Sequence, residues 1–118
     1  MRTITAQRLN RRLDAGPEVL LVNVLEEEKF VQAHIPGSYN VPNERDDFVE
    51  EVGRLLGAKD RPMVVYCADK ACEASRTAAR RLAGAGFTDV TRFAGGVAEW
   101  RLADLPVETG TPSHAHSH

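Results

Sequence analysis

Two cysteines share one short stretch of this chain, VVYCADKACEASR, residues 64–76. Cys67 closes an apolar run with the character of a buried strand, and a helical pattern opens a few residues later. In parallel α/β sheets, ligands sit beyond the carboxyl ends of strands, where loops lead into helices. A loop of Ala68, Asp69, Lys70, Ala71 and Cys72 that curls over the thiol would aim its amide N–H groups inward, and the following helix would add its positive dipole end. Both favour an anion, so the expectation is a thiol titrating below its ordinary ~8.5. Lys70 and Arg76 would reinforce that field, while Asp69 and Glu73 are expected to face solvent. The chemistry open to such a group is nucleophilic attack. Free cysteine also serves as a small buried hydrophobe, and position alone leaves both readings standing.

Cys72 admits two roles of its own. A resolving thiol could attack an oxidised Cys67, given Cα atoms within about 7 Å. The plainer role is a partly buried loop residue, and one spacing is thin ground for preferring the first. Two cysteines with no histidine near them do not make a zinc site, so neither metal nor cofactor is expected. His34 precedes Ile35-Pro36-Gly37 and reads better as a turn histidine bonded to backbone than as a general base. Gly95 and Gly96 suit a tight entry into a helix, and Trp100 with Phe93 suits the core. His114, His116 and His118 alternate along a tail that has the composition of a solvated segment.

Alternating elements would position these residues. Thr5 can cap a helix running to about Leu13, which Gly16-Pro17 ends. VLLVNV (19–24) is a short apolar run suited to a strand covered on both faces. A brief helix over 26–33 carries acids in its first turn, and 39–41 offers a short strand. Phe48, Val49, Val52, Leu55 and Leu56 stripe an amphipathic helix over 46–56. PMVVY is a second buried strand. A helix over 75–86 takes Ser75 as its N-cap; DVTRF is a third strand, and a last helix ends at Pro106. Strands alternating with helices predict an α/β fold. The sheet is expected to be mostly parallel, of about five strands, with helices on both faces.

The 118 residues suit one domain, over 1–109, with 110–118 as a disordered tail. Fifteen basic and 17 acidic side chains leave a net charge of -2 and give no basic surplus for nucleic acid. No run approaches the ~20 apolar residues of a membrane span, and the N-terminal segment lacks the apolar region of a signal peptide. The expected setting is therefore the cytoplasm, where two cysteines serve as thiols or a redox pair.

Three blocks in order resemble the rhodanese family of sulfurtransferases, together covering about Thr3 to Thr109. LVNVLEEEKFVQAHIPGSYNVP is similar to the family's Asp-Val-Arg, acidic helix, Gly-His-Ile-Pro-Gly-Ala and Asn-Ile-Pro block. VVYCADKACEASRTAARRLAGAGF resembles its cysteine loop and helix, and VTRFAGGVAEWRLADLPVETG its closing Gly-Gly-x-x-x-Trp segment. The resemblance implies a single rhodanese-like domain in which Cys67 takes sulfur from a small anionic donor such as thiosulfate. The resulting persulfide then passes its sulfur to a thiol or protein acceptor. It also implies an anion-binding role for Ala68 through Cys72 and for Arg76.

Two departures stand out. The family's loop carries an arginine five residues after the cysteine, where this chain has Cys72; the spacing here is Cys-x4-Cys-x2-Ser. Asn23-Val24-Leu25 replaces Asp-Val-Arg, which removes a carboxylate and a guanidinium from the region of the site. These changes keep open a relay or protein-binding module with little activity on free thiosulfate. A cysteine phosphatase or arsenate reductase is a poorer alternative. Its chemistry wants an arginine six residues after the cysteine, and Glu73 there would repel a phosphoryl dianion.

Overall fold

The structure, a computed structural model, describes residues 2–16 and 18–110. Its ten elements run β1 (Arg2–Thr3), α1 (Ala6–Ala15), β2 (Leu20–Asn23), α2 (Glu27–Gln32), β3 (Tyr39–Asn40), α3 (Phe48–Leu56), β4 (Met63–Tyr66), α4 (Ala74–Gly84), β5 (Val90–Phe93) and α5 (Gly96–Leu102). The strands form one sheet in the order β1-β5-β4-β2-β3, and every pairing is parallel. β4 is therefore the middle strand, and its carboxyl end is central to the fold.

Alternation along the strands sorts the core into two layers. Leu20, Val22, Met63, Val65 and Cys67 face α3 and α4, meeting Phe48, Val52 and Leu56 from the first and Ala78, Ala79 and Leu82 from the second. Leu21, Val64, Tyr66 and Phe93 face the other way, against Ala6 and Leu9 of α1 and Val97 and Trp100 of α5. The α/β expectation, with helices on both faces of a parallel sheet, holds. The ring of Trp100 meets Phe93 edge-on at 6.2 Å between centroids, and its indole N–H donates to the Pro106 carbonyl at 2.7 Å.

Local signals place most boundaries. Thr5 Oγ1 accepts from the Arg8 amide at 3.3 Å and caps α1. Gly57, at φ +83°, closes α3 with the left-handed turn that glycine adopts without strain. One expectation needs correction. Ser75 is not an N-cap but lies inside α4, whose cap position is Glu73. His114, His116 and His118 lie outside the described residues.

Candidate active site

Cys67 follows β4 directly. Its backbone is tied down from the far side of the chain: Val97 N–H donates to the Cys67 carbonyl at 3.1 Å, and Ala98 N–H to the Ala68 carbonyl at 2.9 Å. Those donors open α5, where the unpaired amides of a first turn need acceptors. The approach is close enough to require glycine at position 96. Gly96 has φ +59°, and a Cβ there would sit 2.2 Å from the Cys67 carbonyl oxygen and 2.8 Å from the Ala68 carbonyl carbon. Gly95-Gly96 thus does what a tight helix entry requires, and it also holds the base of the cysteine loop.

The loop itself is bonded internally. Asp69 Oδ1 accepts from the Ala71 amide at 3.0 Å, and the Asp69 carbonyl accepts from the Cys72 amide at 3.2 Å. The expected cradle of amides from Ala68 to Cys72 is therefore corrected: the Ala71 and Cys72 amides are committed to Asp69 rather than to the sulfur. What faces the sulfur from the loop is an acceptor. Cys67 Sγ donates to the Cys72 carbonyl at 3.6 Å, and only 1% of Cys67 is exposed.

The expected low thiol pKa is corrected with it. Burial pushes the Cys67 thiol above its ordinary range, and the neighbouring Cys72 side chain raises it further. Ser75, in the first turn of α4, pulls the other way. The loop is in a form that shelters a neutral thiol.

Asp69, Lys70, Ala71, Glu73 and Arg76 are exposed, and Cys72 is half-buried. The Arg76 guanidinium pairs with Glu73 at 3.6 Å, on the outside of the helix start. A groove of about 390 Å³ runs between this loop and α5, lined by Asp69, Lys70, Ala71, Gly95, Ala98, Glu99 and Leu102. Leu102, 87% exposed, is the exposed large apolar side chain among the described residues.

Sequence reasoning missed the polar layer behind the sulfur. Ser75 is fully buried, and its Oγ accepts from Arg92 Nε at 2.9 Å. Arg92 sits opposite Val65 in the β4–β5 ladder. The signal was available: an arginine in a short strand, directly before Phe93, needs a reason to be there.

On the opposite layer of the sheet, the Tyr66 hydroxyl accepts from the Ile35 amide at 3.0 Å and bonds Ser38 Oγ at 2.8 Å. Asn23 is buried beside it. Its Oδ1 accepts from the Leu25 amide at 2.9 Å, while its Nδ2 has no hydrogen-bond partner among the described residues. His34 is a bonded turn residue, as expected: Nδ1 lies 2.8 Å from the Phe30 carbonyl, and the ring stacks on Phe30 at 3.8 Å.

A parallel five-stranded sheet with a cysteine loop between its middle strand and a helix defines a class of α/β domain, and comparison with known proteins identifies it. The model of the rhodanese-like domain family matches residues 5–103, and the chain belongs to that family. It is 40% identical over 109 residues to the HTH-type transcriptional regulator Rv0324 of Mycobacterium tuberculosis, matching along 92% of its own length but only 46% of that relative's. It is 36% identical over 91 residues to the thiosulfate sulfurtransferase GlpE of Pseudomonas syringae, with 76% of this chain and 78% of GlpE covered. Among solved structures, the Alr3790 protein of Anabaena sp. superposes with a TM-score of 0.83 at 29% identity, covering 98% of this chain and 99% of that one. No helix among the described residues is long and apolar enough to cross a membrane.

Proposed function

We propose that this domain is a sulfurtransferase that carries sulfane sulfur as a persulfide on Cys67. The observation that supports the reading is the placement of Cys67 at the carboxyl end of the middle strand, with its backbone clamped by α5 and its sulfur facing the start of α4. The likeness to a thiosulfate sulfurtransferase over most of both chains points the same way.

In the first step the Cys67 thiolate attacks the outer sulfur of a thiosulfate-like donor. A bond forms from Sγ to that sulfur, the donor's S–S bond breaks, and its electron pair leaves on sulfite. In the second step a nucleophilic acceptor, such as cyanide, a thiol or a protein thiolate, attacks the outer sulfur and Cys67 departs as thiolate. Both steps need an anion at Sγ, whereas the sheltered thiol donates to the Cys72 carbonyl. The productive form therefore turns that carbonyl away. In that form the Ser75 hydroxyl, at the start of α4, donates to the sulfur, and Lys70 and Arg76 supply charge on the rim for the anionic donor. Ala68, Asp69 and Ala71 set the reach of the loop.

A relay is the second reading. It is favoured by the buried thiol and by the 46% span of a longer regulator that this chain matches. In that reading the sulfur arrives from a partner protein, and free thiosulfate is turned over slowly.

Intact mass spectrometry after incubation with thiosulfate tests the proposal. The expected result is a gain of one sulfur atom, reversed by cyanide and lost in Cys67→Ser. A gain only from a persulfidated protein donor selects the relay. No gain from either donor, or an undiminished gain in Cys67→Ser, ends the sulfur-carrier reading.

A further inference from the structure

A second concentration of charge lies at one edge of the sheet, between β1 and α1. A groove of about 460 Å³ opens there, lined by Arg2, Arg8, Arg11 and Arg12. Arg8, Arg11 and Arg12 fall at i, i+3 and i+4, so they share one face of α1. Arg2 joins them from the edge strand, opposite Thr91 in the β1–β5 ladder, and Thr91 lines the same groove. Among the described residues no carboxylate lines it.

The arrangement is locally unfavourable. Arg2 pairs with Asp89, but among the described residues no ion pair includes Arg8, Arg11 or Arg12. Like charges at these helical spacings repel one another. Arg8 also sits in the first turn of α1, where the helix dipole disfavours a cation, and that turn carries no acid. Other helices of the chain avoid this cost: α2 and α3 open on glutamates, and Arg76 at the start of α4 is paired with Glu73. A local rule broken without compensation is the kind of departure that functional sites carry. Guanidiniums around a concavity suit phosphate-type anions, because each presents a planar fork to two oxygens.

The surroundings set the size of the anion. Glu18 shares a neighbouring cavity with Arg12, Asp14 follows on α1, and Asp89 holds Arg2. These acids bracket the positive patch, so a long polyanion such as duplex nucleic acid meets repulsion beyond it, whereas a compact anion meets only the arginines. Three forks around one volume also call for many oxygens close together, a density that polyphosphate has and a run of peptide carboxylates lacks. We infer that the β1–α1 groove binds a compact polyphosphate group, held by Arg8, Arg11 and Arg12 with Arg2 and Thr91 beside them. That chemistry is shared by inorganic tripolyphosphate and the tail of a nucleoside triphosphate. The site goes beyond the sulfur-carrier reading and does not depend on it: none of its residues lines the groove beside Asp69 and Leu102.

Isothermal titration calorimetry of the full chain tests this, with sodium tripolyphosphate and with ATP, at about pH 8, where free histidines are neutral. The expected result is one equivalent bound, weakened about fivefold by each of Arg8→Gln, Arg11→Gln and Arg12→Gln and lost in the triple variant. Arg8 and Arg11 are exposed and Arg12 is half-buried, so these glutamines leave the core untouched. The control Arg54→Gln/Arg80→Gln/Arg101→Gln changes the net charge equally and should bind as the parent does. Equal affinity for the two ligands supports a site for the phosphates alone, and tighter binding of ATP supports a nucleotide as the source. No binding by the parent, undiminished affinity in the α1 triple variant, or an equal loss in the control overturns the inference. So does loss of binding in Lys70→Gln/Arg76→Gln, which would place the anion at the cysteine loop. Tighter binding of a short DNA duplex or a polyglutamate peptide than of tripolyphosphate overturns it as well.

Discussion

Replacing Gly96 by alanine should damage the fold and the site together, and the size of the effect can be worked out. Position 96 has φ +59°, where a side chain costs about 1–2 kcal/mol. The added Cβ would also stand 2.2 Å from the Cys67 carbonyl oxygen and 2.9 Å from the Ala68 carbonyl oxygen, both backbone atoms with little freedom to move. Forcing a methyl into such packing costs a further ~1–3 kcal/mol. Gly37 provides the control: it shares a positive φ, +83°, but a Cβ there meets nothing within 4 Å. Gly37→Ala should therefore show the conformational cost alone, about 1–2 kcal/mol, and Gly96→Ala about 2–5 kcal/mol. In thermal melts that is roughly 4 °C for each kcal/mol. Urea titrations read the same difference as a lower midpoint at constant m. Relieving the clash pushes the Cys67–Ala68 peptide away from α5, so sulfur loading measured by mass should fall in Gly96→Ala and persist in Gly37→Ala. Equal destabilisation of the two variants, or full loading in Gly96→Ala, would refute the idea that close approach at α5 fixes the cysteine.

Three further outcomes are expected. Cys72→Ser should keep sulfur loading but abolish any Cys67–Cys72 disulfide, read as the loss of the two-hydrogen mass difference under diamide. Stability should fall on the alkaline side: the Cys67 thiol is held above its ordinary range, so in the window between the unfolded and folded pKa the native state binds more protons than the unfolded chain. That contribution is complete below the unfolded thiol pKa and lost as pH rises through the folded one, and Cys67→Ser should remove the corresponding slope from urea midpoints. Tyr66→Phe leaves the buried Ile35 amide without its acceptor and Ser38 Oγ without one of its partners, and should cost about 1–3 kcal/mol in urea with an unchanged m value.

The sheet was legible because its strands carry their own signal. VLLVN and PMVVY are apolar on both faces, and only burial on both sides explains that. β1 escaped notice since a two-residue strand, Arg2–Thr3, has no periodicity; it exists through its pairing with Thr91 and Arg92. The position of Cys67 was readable from the order of strand, loop and helix. The directions of the loop amides were not. Asp69 bonds its own loop twice, and nothing in the residue types distinguishes that arrangement from one in which the amides converge on sulfur. Ser75 misled for a related reason. Serine favours helix starts, but here its hydroxyl is taken by a partner 17 positions away in sequence, and a long-range bond outranks a local preference.

The α5 clamp ends at Ala68, while residues 69 to 73 are held largely by bonds among themselves and their neighbours. Anchorage and aperture are thus separate pieces of chain. Shortening, lengthening or recolouring the lip would change what size and charge of molecule can enter without disturbing the sheet beneath. A scaffold divided in this way can be refitted to a different molecule at its mouth by editing five residues, with Cys67 left in place.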